Sequence, residues 1–102
     1  MVNTGLLSMS EFNFLIERRL RDAAKGCPNA AYDLGVAFSS GTDGVEIDLI
    51  EAHQWFNLAA VWGDDRAAEA RTEISDEMTA REIVEAQKRA RARLAMTVRR
   101  AA

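Results

Sequence analysis

The side chains that could do chemistry in this chain are few. It contains one Cys, Cys27, and one His, His53, so no cluster of Cys and His ligands for zinc can form within one chain. No Ser or Cys nucleophile is linked to His53 by a recognisable motif, and Cys27 lacks a C-x-x-C partner. We therefore predict no catalytic residue, no metal ligand and no cofactor, and we interpret Cys27 as a plain free thiol. An enzyme or enzyme subunit that uses His53 is the competing hypothesis.

Four carboxylates, Asp43, Glu46, Asp48 and Glu51, gather around one turn and raise the question of a Ca²⁺ site. The spacing D-x-[DN]-x-[DN]-G of a calcium loop is absent, however, and so are the glycine-rich motifs that bind nucleotides. We attribute these carboxylates to helix capping and solvation.

Composition and periodicity predict an all-α domain. Among 102 residues there are eighteen Ala and eleven Arg but one Pro, a bias that lowers the cost of forming a helix. No segment alternates with the period of a strand. Apolar residues at helical spacing predict five helices: the first over 10–25 with Ser10 as its N-cap, the second from a break at 27–29 to Ser40, the third from an N-cap at Asp48 to Gly63, the fourth over 66–77, and the fifth over 79–99 behind the capping box Thr79-x-x-Glu82.

Charge is divided unevenly along the chain. Residues 1–79 carry a net charge of −8, whereas residues 80–102 carry +5. No apolar run reaches the roughly 18 to 20 residues of a membrane span, and the start lacks the pattern of a signal peptide. We therefore expect a cytoplasmic protein with no membrane span, made of an acidic body and a basic C-terminal helix.

Two segments of the sequence are similar to each other. GCPNAA at 26–31 returns as GDDRAA at 63–68, an offset of 37 residues that is typical of paired-helix repeats. The residues between the two glycines resemble the signature of the Sel-one-like repeat family: Gly26, Ala30, Leu34, Gly35, Phe38, Gly41, Gly44, Val45, Asp48, Ala52, Trp55, Ala59, Ala60 and Gly63. Residues 78–87 are similar to the terminating helix of some short bacterial members.

The resemblance implies a short right-handed α/α solenoid related to tetratricopeptide repeats, with about five helices in a single domain. One full repeat would cover 26–63. Beyond it the pattern fails, because Arg71 and Thr72 stand where Leu and Gly are expected. We therefore predict that 64–77 is a degenerate repeat helix and that 79–99 is a basic capping helix.

The family's role implies a non-catalytic adaptor that presents a helical surface to a protein partner. Positions that the core does not need are the predicted contact residues: Tyr32, Asp33, Val36 and Ser39 on the second helix, Glu69 and Glu73 on the fourth, and Arg89 and Arg93 on the fifth. The basic helix alternatively only caps the fold, with pairs such as Glu85 and Arg89 on its surface.

A structural homo-oligomer is another alternative, in which the acidic body of one copy meets the basic helix of the next. With about one and a half repeats, where roughly three are usual, self-association would add buried surface. Binding of nucleic acid by the basic helix is less favoured, since an acidic body repels phosphates.

Overall fold

The computed structural model describes the backbone of residues 3–101 and the side chains of residues 14–97. Five helices follow one another in this part of the chain: α1 (Asn3–Ala24), α2 (Pro28–Ser40), α3 (Leu49–Val61), α4 (Ala67–Ser75) and α5 (Ala80–Ala101). Residues 3–101 contain no strand, so the predicted all-α class is confirmed. Within the same residues, no helix has the length and apolar character needed to cross a membrane.

The predicted start of the first helix is wrong. The helix begins at Asn3, so Ser10 lies in its interior and is not its N-cap. Residues 3–9 contain no Pro and include Leu6, Leu7 and Met9, which favour helix, so the helix extends through Gly5 to Asn3. The second helix also begins inside the predicted break, because Pro28 occupies the first helical turn, where a missing N–H has no cost.

The third helix has the most neighbours. It packs against α2, α4 and α5, whereas α1 packs against α2. Its side chains Trp55 and Leu58 lie in one core cluster with Leu34 of α2, Ala67 of α4 and Ala90 of α5. Small residues at these contacts let the helix backbones approach closely. α3 is therefore the element that positions the other helices.

The helices α2 and α3 approach each other closely at Gly35. A Cβ atom at this position would overlap the ring of Phe56. Phe56 is itself buried in a second cluster with Ala52 and Ile74. The absence of a side chain at Gly35 therefore lets α2 and α3 pack closely.

The turn between α1 and α2 and the turn between α3 and α4 have the same geometry. Their glycines, Gly26 and Gly63, have positive φ angles of 88° and 107°. Each glycine N–H donates to the carbonyl three residues earlier, at 2.9 and 3.1 Å. The next N–H donates to the carbonyl five residues earlier, at 3.2 and 2.9 Å. These bonds close both helix ends in the same way, at positions 37 residues apart.

The caps predicted at Asp48 and at Thr79 are confirmed. The carboxylate of Asp48 accepts the N–H of Glu51 at 3.1 Å at the start of α3. At the start of α5, the hydroxyl of Thr79 accepts the N–H of Glu82 at 3.1 Å. The Glu82 carboxylate in turn accepts the N–H of Thr79 at 2.8 Å, which completes the capping box.

Candidate functional site

Tyr32, a predicted contact residue on α2, is partly covered by the chain itself. Its ring lies 5.5 Å from the ring of Phe56, centroid to centroid. The guanidinium of Arg66 lies 3.9 Å from the centroid of the Tyr32 ring. Arg66 also donates to the side-chain oxygen of Asn29 at 3.0 Å and to the carboxylate of Asp64 at 2.7 Å. Tyr32 therefore belongs to the contact between the beginnings of α2 and α4.

The other predicted positions on α2 differ in exposure. Asp33 is exposed, and its carboxylate lies 3.9 Å from the guanidinium of Arg19. Val36 is half-buried against the second core cluster, and the Ser39 hydroxyl donates to the Val36 carbonyl at 3.1 Å. Of these α2 positions, Asp33 offers the most accessible polar group.

On α4, Glu69 and Glu73 are exposed, as is Asp76 directly after the helix. Their spacing of four and three residues places them along one face. None of these three carboxylates forms an ion pair with another side chain of residues 14–97. We call Glu69, Glu73 and Asp76 the acidic stripe.

The two arginines predicted as contact residues on α5 bind back to their own chain. Arg89 donates to Glu85 at 2.9 Å and lies 3.8 Å from the Glu51 carboxylate. The bond to Glu85 is the main reason that the pKa of the Arg89 guanidinium is raised above its ordinary value. Arg93 donates through Nε to the side-chain oxygen of Gln54 at 3.0 Å. Both arginines therefore connect α5 to α3, and the predicted Glu85–Arg89 pair is confirmed.

Another set of exposed α5 residues lies on the side of the helix away from α3. Its members recur every three or four residues and are all exposed, and we call them the outer stripe: Arg81, Val84, Lys88, Arg91 and Ala95. The buried residues Ala86 and Ala90 lie on the opposite side of the helix, against the core. In the part of the chain with described side chains, none of the three cations has an ion-pair partner. The outer stripe is thus a basic surface left open by the fold.

His53 lies inside the protein, on α3. Its side chain is 3 % exposed, and its Nδ1 atom has no hydrogen-bond partner among the described residues. Burial, and to a smaller extent the charge of Arg71, lower the pKa of His53 below its ordinary value. Burial therefore favours the neutral imidazole, as expected of a core side chain.

Three of the four carboxylates at the α2–α3 turn make contacts within the fold, and the fourth, Glu46, is exposed. Asp48 caps α3, Asp43 pairs with Arg19, and Glu51 accepts a hydrogen bond from Gln54. Residues 14–97 contain no group of three or more His, Cys, Asp or Glu side chains that is arranged to hold a metal ion. The geometry around this turn therefore favours capping and ion pairing.

Sequence reasoning missed a cavity of about 80 Å³ at the meeting of α1, α3 and α5. Both tryptophans, Trp55 and Trp62, line it together with Arg93. From the sequence, Trp55 is a signature residue of the repeat and Arg93 is a predicted partner contact. One signal was present: Gln54, a polar residue between His53 and Trp55 on the most apolar helix, is buried and holds Arg93 in place.

Comparison with known proteins gives no further guide. No family model matches this chain, and neither the curated proteins nor the solved structures contain a similar one. The resemblance of residues 26–63 to the Sel-one-like repeat therefore stays a prediction.

Proposed function

We propose that this chain is a non-catalytic protein-interaction module, an adaptor built as a short solenoid of the Sel-one-like type. The observation that carries the proposal is the outer stripe of α5. It combines three exposed cations with Val84, which is 59 % exposed, and no other described side chain pairs with those cations. Such a surface fits an acidic partner protein, because opposite charges steer association and fix its orientation.

The geometry of the turns supports the solenoid part of the proposal. The turns at Gly26 and Gly63 share one hydrogen-bond pattern. Asn29 and Arg66 occupy equivalent positions in them, 37 residues apart, and hydrogen-bond to each other at 3.0 Å. Contact between equivalent positions of neighbouring units is the arrangement on which repeat proteins are built.

The surface chemistry favours a protein over nucleic acid. The outer stripe contains no aromatic side chain on which a base would stack. Arg89 and Arg93 are engaged by the chain's own Glu85 and Gln54. An apolar residue between cations, as at Val84, suits the mixed contacts of protein interfaces.

Affinity capture from the native lysate, with and without nuclease, tests the proposal. The informative variant reverses the charge of the outer stripe: Arg81→Glu, Lys88→Glu and Arg91→Glu together. A matched control reverses three exposed acids elsewhere: Asp33→Lys, Glu69→Lys and Glu73→Lys. We expect one defined protein to be captured regardless of nuclease, lost with the first variant and retained with the second.

Other outcomes have definite meanings. Loss with the second variant alone would place the contact on the predicted surface of α2 and α4, and titrating the partner against Tyr32→Ala and Asp33→Arg would then test that surface. Recovery of nucleic acid alone would reject the adaptor proposal.

A structural homo-oligomer is the second candidate function. It is favoured by the coexistence of the acidic stripe on α4 and the outer stripe on α5, both exposed on the same chain. Because salt screens such contacts, light scattering at low and high salt tests it. A mass above that of the monomer at low salt, which falls at high salt, would support it. A monomer under both conditions would reject it.

A further inference from the structure

The cavity between α1, α3 and α5 has features of a small binding site. Its volume is about 80 Å³, and its walls are Trp55, Trp62, Arg93, Met96, Thr97 and two alanines of α1. A single water molecule requires about 10–15 Å³ of such a cavity. There is consequently room for a group of several non-hydrogen atoms between the two indole rings.

Trp55, one of the lining residues, has a buried hydrogen-bond donor with no acceptor. Trp55 is 2 % exposed, and its indole N–H has no partner among the described residues. Buried N–H groups in native proteins nearly always have an acceptor, either in the protein or in an ordered water molecule. This unpartnered donor is the first sign of a missing polar neighbour at Trp55.

The second sign is the fixed orientation of Arg93. Its guanidinium lies 4.4 Å from the centroid of the Trp55 ring. Its Nε atom donates to Gln54 at 3.0 Å, and Gln54 is 1 % exposed and itself bonded to Glu51. A partly buried chain of hydrogen bonds therefore connects the exposed residue Arg93 to α3. Its Nη groups have no partner among the described residues.

We propose that this cavity binds a small organic carboxylate with a short apolar tail. The Nη groups of Arg93 match the two oxygens of a carboxylate, the geometry in which arginine binds such groups most strongly. Trp55, whose indole N–H lacks an acceptor, lines the same cavity. The rings of Trp55 and Trp62 and the side chain of Met96 provide apolar walls for the tail.

The lining residues argue against other ligand classes. Arg93 is the one charged side chain among them, so the site has a positive charge and no carboxylate to bind a cation. A phosphate ester would bring about two charges to a site with one arginine and mostly apolar walls. The proposal does not depend on the adaptor function, because Arg93 contacts α3 whereas the outer stripe faces away from it.

The chain offers a direct reporter for this site. It contains two tryptophans, and both line the cavity. In a nitrogen–proton correlation spectrum of the full chain, the two indole N–H signals therefore report on the site alone. The probe is isovalerate, and isovaleramide is its uncharged counterpart of the same shape. A capped glutamate peptide tests whether the carboxylate comes from a protein side chain.

Two variants complete the experiment. Arg93→Gln removes the proposed anion contact, whereas Arg91→Gln makes the same change on the exposed side of α5. We expect isovalerate to shift the indole signals with a Kd of about 1 mM, ordinary for a ligand of this size. Binding should weaken at least about tenfold in Arg93→Gln and for isovaleramide, because a charge-assisted bond is lost. Arg91→Gln should bind as the parent does.

Each other result overturns the proposal. Equal binding of isovaleramide would show that the site recognises shape and not charge. Equal weakening by Arg91→Gln would show a general charge effect. Binding of the glutamate peptide without isovalerate would assign the site to a partner's side chain, and no saturable shift with any probe would mean that water fills the cavity.

Discussion

The α2–α3 pair and the α4–α5 pair begin with the same kind of turn but pack differently. α2 lies along α3, whereas α4 and α5 each lie against α3 and make little contact with each other. Positions 37 residues apart show why. Leu34 is fully buried in the core, but its counterpart Arg71 is half-buried and donates to the side chain of Asn57. Gly35 touches Phe56, but its counterpart Thr72 is exposed.

This difference separates what is needed for a turn from what is needed for a helix pair. The turns at Gly26 and Gly63 depend on a positive φ angle and local hydrogen bonds, which both sequences retain. A packed pair depends on apolar side chains and on a small residue at the crossing, and α4 has Arg71 and Thr72 at the corresponding positions. Since α4 offers no such seam, α5 packs against α3 through Ala86 and Ala90. The opposite side of α5 carries the outer stripe.

The largest effect should come from the equivalent positions Leu34 and Arg71. Leu34→Ala removes a fully buried side chain and should lower the free energy of unfolding by about 2–5 kcal/mol. Arg71→Ala removes a partly exposed hydrogen bond and should cost about 1 kcal/mol or less. Urea unfolding followed by helical circular dichroism measures both. Equal losses would mean that the second pair is packed as the first is.

A smaller effect is expected at Gly35 and Thr72. Gly35→Ala places a methyl group against the Phe56 ring and should cost about 1–3 kcal/mol, as overpacking usually does. Thr72→Ala changes an exposed helical position and should leave the free energy of unfolding the same or slightly higher. Thermal melting of both variants compares them.

A double variant tests whether the loss in Gly35→Ala comes from its contact with Phe56. Phe56→Leu combined with Gly35→Ala should recover part of the loss, because the smaller side chain makes room for the methyl group. Simple additivity of the two losses would contradict the proposed contact between them.

The local features of this fold were predictable from the sequence. The cap at Asp48, the capping box at Thr79 and the turns at Gly26 and Gly63 each depend on residues within five positions of one another. Ser10 shows the limit of this reasoning. A residue that favours caps also occurs inside a helix when the sequence before it is equally able to form one.

The features that join distant residues were not predictable in the same way. Arg66 covers Tyr32, and Arg93 reaches Gln54, only because separate helices meet at those points. A helical wheel places Arg93 outside the apolar arc of α5, but it does not show that a buried glutamine on α3 lies opposite. The cavity beside Trp55 requires three helices, so periodicity within any one of them contains no sign of it.

The helix caps sharpen the comparison between the two pairs. Thr79→Ala and Asp48→Ala should each cost about 1 kcal/mol, the usual contribution of an N-cap. The part of the protein that opens should differ between the two variants, because α5 packs against α3, whereas α3 packs against three helices. We expect Thr79→Ala to speed amide hydrogen exchange mainly in α5, and Asp48→Ala to speed it across the core. Thr79→Ser keeps the hydroxyl, so its amide hydrogens should exchange as those of the parent do. Faster exchange throughout the chain in Thr79→Ala would contradict local opening of α5.

The smallest expected effect concerns pH and the divergent residue Arg71. Burial, together with Arg71, holds the pKa of His53 in the folded chain below its ordinary value of 6.5. In the unfolded chain the imidazole titrates near that ordinary value. The contribution of His53 to stability is therefore complete above pH 6.5 and declines as the pH falls below it, because the unfolded state then binds a proton that the folded state binds less readily.

Urea unfolding between about pH 7.5 and 5.5 measures this decline, in a window above the titration of most carboxyl groups. Arg71→Gln removes the charge that opposes protonation of His53 and should make the decline shallower. His53→Asn should remove the part of the decline that belongs to the imidazole. Arg18→Gln, an equal change of charge at an exposed position of α1, should leave the slope unaltered. If the free energy of unfolding depends on pH equally in the parent and in His53→Asn, other groups cause the pH dependence. Arg71 would then affect stability only through its bond to Asn57.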